Sequence, residues 1–88
     1  MELMIATRSC VDPEGHPRSF HYFLTVDQVE TPGFCCENYG VRIEEEGGDS
    51  TRIPAITTSA LRIDELLTLL TDHLVGPAGL ADMVADWL

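Results

Sequence analysis

Lysine is absent from this chain, and its five basic residues are all arginines (Arg8, Arg18, Arg42, Arg52 and Arg62), set against fifteen acidic residues. Without lysine there is no amine for a Schiff base and no phosphate-loop lysine. Five dispersed cations in a chain of formal charge -10 cannot supply the clustered positive surface that releases counterions from a phosphate backbone. Direct nucleic-acid binding is therefore excluded. Cysteine is scarce as well. Three residues, an odd number with Cys35 and Cys36 adjacent, fit free thiols in a reducing compartment better than a disulfide framework. No apolar run approaches membrane-spanning length, and the first residues lack the basic segment and apolar core of a secretory signal. A cytoplasmic protein with no membrane partner is expected. There is also no internal repeat and no low-complexity linker.

What is present points to one small folded domain spanning residues 1–88, with sheet over 1–56 and a helical hairpin over 57–88. A hydrophobic content of 44% is too high for a disordered chain. In the C-terminal part, Ile63, Leu66, Leu67, Leu70 and Leu74 fall within one stripe roughly 100° wide at helical spacing, the width of a core-facing helix. Thr57, Thr58 and Ser59 offer capping hydroxyls, with Thr58 the favoured N-cap. Gly76 is expected to stop this helix and Pro77 to open a second, whose stripe is Leu80, Met83, Val84, Trp87 and Leu88. Helices joined so closely lie side by side, roughly antiparallel, and neither can cover the other's stripe alone.

The sheet has to do that. Glu2 to Val11 reads as a first strand, and Asp12-Pro13-Glu14-Gly15 as a turn. Phe20, Tyr22, Leu24 and Val26 then alternate with His21, Phe23, Thr25 and Asp27, the clearest two-residue period in the chain. Thr31-Pro32-Gly33-Phe34 carries type II turn chemistry, so the next strand runs back antiparallel, with Tyr39, Val41 and Ile43 on one face. Gly40, with no side chain to pack, marks a bulge or a close approach. Glu44 to Ser50 reads as a polar loop, and Arg52 to Ile56 as a short strand that Pro54 confines to an edge. The expected fold is α+β: a three- or four-stranded antiparallel β-meander followed by a helical hairpin packed on one face of the sheet.

Sites of chemistry are few. Cys35 and Cys36 would point to opposite faces of a strand, which makes a shared metal awkward, and no base, cation or helix N-terminus beside them in sequence would lower a thiol pKa. His21 approaching a cysteine on the neighbouring strand is the one enzyme-like pairing. His16 and His73 are not spaced as metal ligands; His73 suits the negative end of the first helix. The acidic run Glu44, Glu45, Glu46 and Asp49 lacks the spacing of a calcium loop and reads as solvated. Trp87 lies on the second helical stripe and is read as core. No catalytic, cofactor-binding or metal-binding residue is assigned. Phe23 and Val29 on the outer sheet face, with Leu61 and Leu69 on the polar side of the first helix, are the candidate contact residues.

A further set of residues carries a family resemblance. Tyr39-Gly40-Val41 with Ile43, then Ile53 and Ile56-Thr57-Thr58-Ser59, then Glu65-Leu66-Leu67, then Pro77 with Leu80, Asp82, Val84, Asp86 and Leu88, resemble a group of small proteins, mostly from anaerobic Firmicutes, catalogued as a domain of unknown function. The resemblance covers roughly residues 20 to 88 and rests on capping and core positions. Gly76-Pro77 stands where that pattern has a Thr-Pro cap. It implies a cytoplasmic bacterial protein without an assigned activity and transfers no site residue. The expected function is a non-enzymatic protein-interaction or regulatory module, with a protein partner or a second copy of itself and no cofactor. The outer sheet face or an edge strand would receive that partner. A small-molecule binder using a crevice between sheet and helices is the alternative, and a thiol-dependent enzyme the third.

Overall fold

The computed structural model describes residues 1–88. Strands β1 (Glu2–Val11), β2 (Pro17–Thr31), β3 (Phe34–Glu45) and β4 (Ser50–Thr57) form one antiparallel sheet in the order β1-β2-β3-β4. Helix α1 (Ala60–Asp72), a 3-10 turn over Pro77–Gly79 and helix α2 (Leu80–Trp87) follow. The meander thus has four strands. β4 is longer than Arg52 to Ile56, and the polar loop before it shrinks to a tight turn because β3 continues through Glu45.

Turn chemistry sets the reversals. The Asp12 carboxylate accepts from the backbone N–H groups of Glu14 and His16 at 3.0 and 2.8 Å, and Gly15 takes a φ of 87° that other residues reach only with strain. Gly33 does the same at 81°, so Thr31 sits directly opposite Phe34 and the β2-β3 register is fixed along twelve pairs.

The core lies between one sheet face and the helices. Phe20 and Tyr22 of β2, Val41 and Ile43 of β3, Ile63, Leu66, Leu67 and Leu70 of α1, and Leu80 and Val84 of α2 form a single buried cluster. Leu24, Tyr39, Ile53, Ile56, Met83 and Trp87 pack around it and keep some exposure. Val26 is buried but stands outside the cluster. Each fully buried leucine contributes about 2–3 kcal/mol relative to exposure, so the helices are held by packing rather than by their own short length.

Four helical details differ from expectation. The N-cap is Ser59, whose hydroxyl accepts from the Arg62 N–H at 3.2 Å; Thr57 holds Ser59 in place by accepting its N–H at 3.1 Å. Helix α1 stops at Asp72 and not at Gly76, because Leu74 takes a left-handed φ of 52° and the N–H groups of Leu74 and Val75 close on the carbonyls of Thr71 and Leu70. Leu74 therefore leaves the stripe and is 41% exposed. Pro77 opens a 3-10 turn, so the helices are separated by residues 73–79 and do not form a two-residue hairpin. Leu88 lies beyond α2 and is exposed, while Trp87 is half-buried beneath the Arg62 guanidinium, 4.2 Å from its ring.

Gly40 combines both of its readings. Pairing shifts between Tyr39 and Val41, where β4 inserts extra residues around Pro54, and Ala55 adopts a φ of 54°. The bulged segment presses onto Gly40 so closely that a Cβ there would meet the Ile53 carbonyl oxygen, and would lie 2.7 Å from both Pro54 Cα and Thr25 Oγ1. Beneath this crossing the Thr25 hydroxyl is fully buried without a hydrogen-bond partner.

Candidate interaction surfaces

The strand register sorts the sheet's side chains into two faces. Phe20, Tyr22 and Leu24 point to the helices; His21, Phe23, Thr25, Asp27 and Val29 point away. Most of this outer face is polar and paired. The Arg42 side chain is fully engaged: it donates to Glu2 at 2.9 Å and to Ser50 at 3.2 Å, lies 3.5 Å from Glu44, and covers the Phe23 ring at 4.0 Å. Arg52 pairs with Asp27 at 3.6 Å, and His21 shares a 2.9 Å hydrogen bond with Thr7. Phe23, offered by its sequence position as a contact residue, is thus already occupied by a cation.

The four candidate contact residues do not converge. Phe23 and Val29 lie on the outer sheet face, six residues apart on β2, roughly 20 Å in an extended strand. Leu61 and Leu69 belong to α1, on the opposite side of the sheet; Leu61 is 69% exposed and Leu69 half-buried. No single patch unites them.

The two sheet edges differ sharply. β4 is guarded by Pro54 and its bulge, devices that discourage strand pairing. β1 is ten residues long, contains no proline, and has one side without a neighbouring strand. Leu3, Met4, Ile5 and Val11 along it are 46 to 69% exposed. A register shift between Met4 and Ala6 divides it, leaving Ala6 to Val11 in unbroken pairing with β2. Composition gave no warning of this edge, since its apolar residues are not strictly alternating and only the strand order shows that nothing covers them.

Beyond Val26, where the Met1 backbone ends the β1-β2 ladder, β2 and β3 continue as a bare two-stranded arm. It runs from the Asp27-Asn38 pair to the turn at Pro32 and Gly33, roughly 17 Å, and stretches the molecule to 55 × 24 × 17 Å. A compact chain of this length has a radius of gyration near about 12 Å. The observed value is 14.1 Å, so the extension is real on the scale of the whole fold.

The enzyme-like pairing of His21 with a cysteine is not formed. His21 stands opposite Thr7 and Glu44, whereas Cys36 and Cys35 stand opposite Val29 and Glu30 in the arm, and Cys10 lies opposite Arg18 with its side chain on the helix-facing side. All three thiols are free. His16 pairs with Asp12 and Glu14 in its own turn, His73 caps the exposed end of α1, and no three metal-ligating side chains converge.

A cleft of about 510 Å³ opens at the turn end of the sheet, between the β1-β2 turn and the segment joining the helices. Cys10, Asp12, Arg18, Phe20, Glu45 and Pro77 contribute to its walls. Arg18 donates to both carboxylate oxygens of Glu45 at 2.7 and 3.0 Å, which holds the Glu45 carboxyl below its ordinary range and raises Arg18. The cleft's one cation is consequently neutralised from within, and the Asp12 carboxylate is engaged by its own turn.

In comparisons with known proteins, the model of a family of unknown function (DUF6514) matches residues 1–88, a longer span than the resemblance in capping and core residues. No curated protein and no solved structure matches.

Proposed function

The chain belongs to that family of unknown function, DUF6514, and from its own surfaces we propose a non-enzymatic protein-interaction module that receives an extended segment of another protein along β1. The observation that carries this reading is the free edge of β1, with unpaired backbone groups over ten residues and four large apolar side chains exposed. Such an edge supplies main-chain hydrogen bonds for a partner strand, while exposed side chains at alternate positions supply specificity. The formal charge of -10 favours a partner strand flanked by basic residues. A reducing cytoplasm, supported by three free thiols, and the bacterial origin that the family resemblance implies complete the reading.

The test is hydrogen exchange with extended synthetic peptides that differ in charge. Binding of basic peptides, weakened by salt, should slow exchange of the Ala6 to Val11 amides and leave β4 unchanged. Protection confined to β4 or the helices, or no binding across the set, overturns it. The cleft bounded by Arg18 and Glu45 supports a second reading, a small-molecule binder, which a thermal-shift screen of metabolites tests: stabilisation lost on filling the cleft by Ala78→Trp supports it, and no stabilisation removes it.

A further inference from the structure

The arm reverses the sheet's polarity. In the body of the sheet the apolar residues of β2 and β3 face the helices, but past the Asp27-Asn38 pair they face the other way. The outer face of the arm carries Val29 beside Cys36, then Thr31 beside Phe34; its inner face carries Gln28, Glu30, Cys35 and Glu37. No further strand pairs with the arm, and on its apolar side Phe34 is 60% exposed while Val29 and Cys36 are half-buried. A lone two-stranded ribbon is marginal in water, so a bare apolar face on one calls for a second layer.

We propose that this layer is the arm of a second copy of the chain, packed face to face and antiparallel, with Val29 and Cys36 in the middle of each arm meeting their counterparts and Phe34 at each tip lying over the base of the other arm. Charge selects this occupant. The chain carries -10 overall, yet the arm's outer face holds a single ionised group, Asp27, already paired with Arg52 at 3.6 Å. Glu30 and Glu37 point to the opposite side, with Glu37 accepting from the Tyr39 hydroxyl at 2.9 Å. Two copies can therefore approach through this face without opposing like charges, and a basic partner finds nothing on it to attract it. Antiparallel packing also leaves the two acidic bodies at opposite ends of the joined arms, roughly 17 Å apart, beyond the Debye length of about 8 Å in physiological salt. A parallel arrangement sets them side by side. The faces bury about a few hundred Å² from each copy, less than the roughly 800 Å² per partner of a standard interface, so the dimer is weak and reversible. This contact is separate from the β1 edge and stands whether or not β1 takes a partner strand.

Two adjacent cysteines on opposite faces make the test specific. In sedimentation equilibrium from about 10 µM to about 1 mM, the mass should rise from 9.7 kDa towards twice that value. Val29→Glu and Phe34→Ser should each weaken association by about tenfold or more, whereas Glu30→Gln on the inner face should not. Both substitutions lie outside the core, and unchanged circular dichroism shows that the fold is intact; if Val29→Glu fails to fold, Phe34→Ser and the cysteine experiment still decide. In a Cys10→Ser background, a short bismaleimide should join two copies when Cys36 is present and Cys35 is replaced by serine, and should fail in the converse variant. A monomer throughout the range, a dimer indifferent to Val29 and Phe34, or cross-linking through Cys35 overturns the proposal.

Discussion

The phenol of Tyr22 donates a 2.8 Å hydrogen bond to the carbonyl oxygen of Val75, tying the middle of β2 to the segment between the helices. Tyr22 is fully buried, and that burial raises its pKa above the ordinary 10.0, with Arg8 acting weakly against it.

Tyr22→Phe should therefore cost about 1 kcal/mol at neutral pH, measured by urea unfolding, because the Val75 carbonyl loses its partner. The sign with pH follows from the raised pKa. The fold holds the neutral phenol, so its stabilisation is complete below pH 10 and is lost as pH rises through the folded value. The alkaline loss of stability should be smaller in the variant than in the parent.

Gly40→Ala should be far more damaging, about 3 kcal/mol or complete loss of the β4 bulge, since the added methyl meets backbone atoms of Ile53 and Pro54 that cannot swing aside. Thr25→Val beneath the same crossing should act oppositely. It removes a buried hydroxyl that has no partner while keeping the shape, and thermal unfolding should show a gain of about 1 kcal/mol.

At the cleft, Glu45→Gln should lower stability above pH 4.5 and make little difference in strong acid. The Arg18 hydrogen bonds depress the Glu45 pKa, so their contribution is present above the ordinary carboxylate value and disappears as pH falls through the lower folded one. Acid titration of the melting temperature in parent and variant checks this, and the two curves should converge at the acid end.

Ser59→Ala should cost about 1 kcal/mol and Thr58→Ala almost nothing, because the Arg62 N–H is bonded by Ser59 and Thr58 caps no helical donor. Amide exchange in the first turn of α1 distinguishes them.

The α+β meander was legible because its turns are carried by local chemistry, at Asp12 to Gly15 and at Pro32-Gly33, and because β2 alternates cleanly. Gly40 was legible for the same reason: a missing side chain in a strand has few explanations. The end of α1 was not. Leu74 pays a conformational cost that glycine avoids, and it does so because the backbone bonds of Leu74 and Val75 back to Thr71 and Leu70 outweigh that cost. Among the candidate contact residues, Phe23 was masked by a cation from β3, and its pairing with Arg42 depends on cross-strand register. Alternation along β2 places Val29, half-buried in the structure, on the outer face, but that Phe34 and Cys36 share its surface follows only from the β2-β3 register, and the face reversal at Asp27 only from the helices' position.

The order of the core along the chain bears on how it is made. All three strand pairings join neighbours in sequence, so the meander can zip hairpin by hairpin as it leaves the ribosome. Leu80 and Val84, which complete the buried cluster, follow all four strands along the chain. Until they emerge, Phe20, Tyr22, Val41 and Ile43 lack part of their cover. Each nascent chain thus passes through an interval in which a sticky sheet is exposed, and a strand-binding chaperone or a premature stop codon would act within that interval.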